Sequence, residues 1–120
     1  MPIGPTLSIA LNSLPATVAR GGSVQFTDVT TNSCPPPPNG VASNATTMDY
    51  FIQATNTQPP TSGFFGYRNV NGLAGGQSYT RPAGSAALVI PTTATAGPGF
   101  FVARLRAYPT VFTAVAITIT

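Results

Sequence analysis

The chain has 120 residues, a formal net charge of +3 and charged side chains at only 6% of positions, against about 25% in an ordinary soluble domain. It holds five arginines, two aspartates and one cysteine, and no Lys, Glu or His. General acid–base and nucleophilic catalysis therefore have almost no players. A metal centre lacks ligands to close its shell, no cofactor motif is present, and five scattered arginines make no nucleic-acid footprint.

The elements follow in chain order, read from period-2 alternation between turn residues. Leu7, Ile9 and Leu11 alternate with Ser8, Ala10 and Asn12, a half-buried first strand stopped by Pro15. Gly21-Gly22 opens a second strand over Ser23 to Thr31, with Val24 and Phe26 on one face. Cys34 to Gly40 is a loop carrying four consecutive prolines, extended and stiff, with Cys34 exposed beside it. Thr46 to Gln53 is a third strand, with Met48, Tyr50 and Ile52 on one face and Thr47, Asp49, Phe51 and Gln53 on the other. Asn56 to Ser62 is a loop. Phe64 to Val70 is a short aromatic strand, followed by turns at Asn71-Gly72 and Gly75-Gly76. Tyr79 begins a strand that Pro82 and Gly84 interrupt. Ala86 to Ile90 is an apolar run stopped by Pro91, and Gly97-Pro98-Gly99 is a breaker. Phe100 to Ala107 and Val111 to Thr120 close the chain as strands.

No window carries a helical period. Seven or eight short strands at regular spacing predict an all-β sandwich or barrel, in a single domain over 1–120. The 42% apolar fraction suffices for a core. No apolar run approaches the roughly 18 residues of a membrane span. Met1-Pro2-Ile3-Gly4 has neither the basic start nor the apolar stretch of a signal peptide.

The order of four segments resembles the CARDB domains, the bacterial cell-adhesion-related immunoglobulin-like modules. Leu14-Pro15-Ala16-Thr17-Val18-Ala19-Arg20-Gly21-Gly22-Ser23-Val24 is similar to their opening. Met48-Asp49-Tyr50-Phe51-Ile52 stands where the family has an aromatic strand. Leu73-Ala74-Gly75-Gly76-Gln77-Ser78 resembles its L-x-x-G-x-S turn. Leu88-Val89-Ile90-Pro91, with Ala96-Gly97 and Phe100-Phe101-Val102, resembles its closing strands. The likeness covers roughly residues 7–115. It implies an immunoglobulin-like antiparallel sandwich used as a spacer or adhesive module, with no catalytic residues. The family's acidic residues near the last strands have no counterpart in Arg106-Ala107-Tyr108-Pro109-Thr110-Val111.

Few residues suggest a site. Asp28 and Asp49 read as outward-facing, solvated or arginine-paired acids. They are too few for calcium, and a glycosidase pair would need a defined separation and one raised pKa. Phe64, Phe65 and Tyr67, with Tyr79, form a candidate saccharide platform or part of the core. Cys34 is a free thiol, or an intermolecular disulfide if the chain is secreted. The terminal segments 1–6 and 115–120 are candidate inter-subunit contacts, because uncharged strands invite pairing with another chain. Leu7, Ile9, Val115, Ile117 and Ile119 would supply the interface. The expected role is a non-enzymatic structural or adhesive module that self-assembles by strand pairing in an extracellular or cell-surface filament. A virion component and a carbohydrate-binding module are the alternatives.

Overall fold

The computed structural model describes residues 3–56, 63–81 and 87–120. Ten strands and no helix appear among them: β1 Leu7–Asn12, β2 Thr17–Val18, β3 Ser23–Val24, β4 Thr27–Asn32, β5 Thr46–Gln53, β6 Phe64–Val70, β7 Ser78–Thr80, β8 Leu88–Val89, β9 Gly97–Leu105 and β10 Phe112–Ile119. The all-β expectation holds. The predicted loop over residues 56–62, the interruption at Pro82 and Gly84 and the start of the apolar run at Ala86 lie mainly outside the described residues.

Two main sheets form. One has the order β1-β4-β7 and the other β2-β10-β9-β5-β6, with β3 and β8 as a separate pair. Pairing is antiparallel except between β2 and β10. Alternating side chains from both sheets meet in one core. Ile9 of β1 and Val24 of β3 pack with Met48, Tyr50 and Ile52 of β5, Phe101, Ala103 and Leu105 of β9, and Ile117 and Ile119 of β10. Phe26, Tyr50 and Phe101 form its aromatic centre; Phe26 meets both other rings edge-on at 5.4 and 5.0 Å, a favoured geometry for ring quadrupoles.

Three strand expectations change. The single strand over Ser23–Thr31 divides at Gln25-Phe26, so that β3 pairs with β8 and β4 with β1 and β7. β2 was not legible, since two residues carry no period. It forms because Ser13 takes φ 61°, a left-handed corner, and the chain leaves β1 to lie against β10. Gly97-Pro98-Gly99 is the start of β9 rather than a breaker. Pairing of β5 with β9 ends at Gln53↔Phe100, so Pro98 has no strand on its β5 side and its missing N–H costs no ladder bond.

The two aspartates are buried, contrary to the sequence reading. Asp28 has the parity of Val24 and Phe26 and points inward, at 0% exposure. Its carboxylate accepts from the Tyr50 hydroxyl at 2.5 Å and from Arg81 Nε at 3.2 and 3.1 Å, with Arg68 Nη1 at 3.5 Å. Arg68 also lies over the Phe26 ring at 4.7 Å. A buried charge is tolerable only when paired in this way. Burial, then the Asp28 charge, holds the Tyr50 hydroxyl well above the usual phenol range. Asp49 does point away from the core, but its neighbours on the sheet cover it.

The proline loop is likewise less exposed at its root than expected. Cys34 is buried. Asn32, fully buried at the end of β4, accepts from the Thr6 and Cys34 N–H groups and donates to the carbonyls of Val41 and Leu73. That one side chain draws the surrounding loops over the thiol, whose Sγ lies 3.5 Å from the Val41 carbonyl oxygen. A Cβ at Gly40 or Gly75 would collide with the Pro35 carbonyl, so the closure requires glycine at both positions.

Candidate functional site

The outer face of the five-stranded sheet carries the unusual surface. The registers place Tyr67, Asp49, Arg104 and Phe112 in one row across four strands, and Phe64, Phe51, Val102 and Ala114 in the next. Asp49 holds Arg106 through two bonds, at 2.9 and 3.1 Å, and accepts from the Thr47 hydroxyl. These bonds, with the Asp49 charge, raise the Arg106 pKa further. Arg106 lies over the Tyr67 ring and Arg104 over Phe51. Phe64 meets Phe51 edge-on at 5.8 Å. The result is an aromatic face from which Phe64, Tyr67 and Phe112 remain 50%, 57% and 39% exposed.

The expected aromatic trio is therefore split. Phe64 and Tyr67 stand on the outer face, but a register shift in the β5–β6 pairing turns Phe65 toward the core, edge-on to Phe101 at 5.7 Å. Tyr79 lies on β7, in the opposite sheet, beside Arg81. Phe112 and the buried Phe51 complete the aromatic face; each stands at an outward position of its own strand, but their meeting on one sheet depends on strand order.

The edge of this sheet is the second feature. Thr118 N–H donates to the Ala16 carbonyl and Thr120 N–H to the Val18 carbonyl, so even-numbered residues of β10 direct their backbone groups toward β2. β2 reaches only Thr118 and Ile119. Beyond it, β1 passes beside this stretch, where the Thr113 hydroxyl donates to the Ile9 carbonyl at 3.0 Å, but the outward backbone groups of Phe112, Ala114 and Ala116 join no strand ladder among the described residues. The sequence Phe-Thr-Ala-Val-Ala-Ile along this stretch contains no charge and no Pro, two of the devices by which edges are normally guarded.

The side chains nominated for an interface mostly serve the chain itself. Ile9, Ile117 and Ile119 are buried in its own core, and Leu7 and Val115 pack partly against it. They face inward because odd-numbered positions of β1 and β10 do. Any strand partner therefore meets the backbone edge and the even-numbered side chains.

This architecture is an all-β, immunoglobulin-like assembly of sheets, antiparallel apart from the β2–β10 pair. No protein-family model matches the chain, and no curated protein does. Among solved structures, it shares its fold with a CARDB domain from Pyrococcus furiosus solved with a pair of metal ions, at 13% identity and TM-score 0.58, over 97% of this chain and 89% of that one. It is also similar to a β-glucosidase from Listeria innocua solved with laminaribiose, at 12% identity and TM-score 0.62. The same enzyme with isofagomine gives TM-score 0.61. The chain covers only 16% of those enzymes' length. The likeness to the CARDB domain thus extends to the whole fold.

The metal pair of that domain finds no matching donor set here. The two carboxylates belong to different sheets, Asp28 to β4 and Asp49 to β5, and each is engaged by arginine. No cluster of three acidic, histidine or cysteine side chains occurs among the described residues. No helix among them is long and apolar enough to cross a membrane.

Proposed function

We propose that the chain is a non-enzymatic, adhesion-related module that joins further copies of itself by strand addition at the open edge of β10. The uncharged stretch from Phe112 to Ala116, which has no ladder partner on its outer side among the described residues, carries this reading, because backbone pairing supplies affinity and alternate side chains supply fit. The exposed ring of Phe112 and the small side chains of Ala114 and Ala116 would flank the joint. β6 is the other edge of the same sheet. Joining β10 of one copy to β6 of the next is a heterologous contact, which propagates as a filament when it does not close. On this reading the chain is a building block of an extracellular or surface structure.

Reactive groups support a role outside catalysis. The only thiol is buried, and both carboxylates are tied to arginines. The test is mass by light scattering from micromolar to millimolar concentration, with negative-stain imaging. The native chain should grow with concentration. Ala114→Pro and Ala116→Pro each remove an outward N–H that the fold does not use. Both should stay monomeric with unchanged circular dichroism. A native chain that remains monomeric throughout, or proline variants that assemble normally, would overturn the proposal.

A further inference from the structure

A groove of about 340 Å³ opens at the end of the molecule where β5 finishes and β6 begins. Small-molecule sites run from roughly 300 to 1,000 Å³. Its lining includes Gln53, Phe64, Pro91, Thr93 and Thr95. We propose that this groove is a binding site for one unit of a neutral saccharide, independent of the β10 edge.

The lining chemistry selects the ligand class. None of the lining residues is ionisable, so an ion entering it would lose water without gaining a counter-charge. The amide of Gln53 and the hydroxyls of Thr93 and Thr95 are neutral groups that can donate and accept. Phe64 adds a flat apolar surface. A sugar ring presents both complements, hydroxyls around its rim and C–H groups on its face. The walls are also set in advance. Phe64 is steadied by the edge-on contact with Phe51. Ile52 N–H donates to the Gly63 carbonyl at 2.9 Å, and Ala94 N–H to the Pro91 carbonyl at 3.2 Å. The second bond fixes the turn that presents the two threonines.

The test is a two-dimensional amide NMR titration of the whole chain with cellobiose, laminaribiose, maltose and chitobiose, and with trigalacturonate as the anionic arm. At least one neutral disaccharide should shift the Gly63, Ala94 and Thr95 amides with a millimolar Kd, and trigalacturonate should not. Phe64→Ala should weaken that binding about tenfold, the scale of one lost ring contact, while Tyr67→Ala leaves it unchanged. The Thr93→Val, Thr95→Val double variant, altered only in a surface loop, gives a second reading of the site. No shift with any disaccharide, shifts confined to the sheet face around Tyr67 and Arg106, or equal binding of trigalacturonate would each overturn the proposal.

Discussion

Replacing Asp28 by asparagine should cost more stability than almost any other isosteric change in this chain. The carboxylate is completely buried, and each of its oxygens accepts from surrounding donors: the Tyr50 hydroxyl at 2.5 Å and Arg81 Nε at 3.1 and 3.2 Å. An asparagine keeps the size but turns one acceptor into an NH₂ that must face a donor. It also leaves Arg68 and Arg81, both nearly buried, without their counter-charge. Breaking a buried pair costs about 3–5 kcal/mol, a large part of the roughly 5–15 kcal/mol that holds a domain folded. With a urea slope of about 1.5 kcal/mol/M, the denaturation midpoint should fall by roughly 2–3 M. The assay is equilibrium urea unfolding followed by circular dichroism. The triple variant Asp28→Leu, Arg68→Met, Arg81→Met should recover most of the loss, because apolar packing can replace a buried ionic cluster. A loss below about 1 kcal/mol for Asp28→Asn, at unchanged slope, would show that the arginines do not depend on this carboxylate.

Three further outcomes follow from particular contacts. Tyr50 keeps its proton in the fold above the pH where an unfolded tyrosine releases it, near 10. The unfolded state then binds fewer protons, so this contribution is intact below about pH 10 and declines as pH rises beyond it. Urea midpoints across that range should fall in the native chain and fall less in Tyr50→Phe; parallel losses would refute the assignment. Cys34 should resist thiol reagents in the folded chain and react fully in urea; native reaction at the rate of a free thiol would show that the loop does not cover it. Gly75→Ala should destabilise by about 1–3 kcal/mol through its collision with the Pro35 carbonyl, whereas Gly4→Ala, with open space around it, should leave the thermal midpoint unchanged.

Four of the longer strands were legible from their alternation. β5 and β6 were read with their observed ends, and β1 and β10 to within a residue, because a half-buried strand must alternate. The two-residue strands were not, since their existence depends on a partner arriving from elsewhere. The inward aim of Asp28 was available in its parity with Val24 and Phe26, but a carboxylate among apolar neighbours reads as solvated until its cations are seen. Arg68 and Arg81 lie 40 and 53 positions away in sequence; Arg68 reaches it from β6 of the facing sheet, and Arg81 from the end of β7, the neighbour of β4 in its own sheet.

The candidate surfaces divide in the same way. Composition and alternation alone specify an all-β chain, poor in charge, nearly empty of catalytic groups, with a core set by the even-numbered face of β5 and an aromatic strand at Phe64–Val70. These properties depend on composition and on the two-residue period, both local to the chain. It takes the folded arrangement to show that Phe65 leaves the aromatic face, that Ile117 and Ile119 serve the chain's own core, that Cys34 is enclosed, and that β2 stops short of Ala116. Each depends on which strands become neighbours and in what register. That choice belongs to the packing of the whole chain, where a shift of one residue reverses the faces and a partner two residues long leaves the remaining edge open.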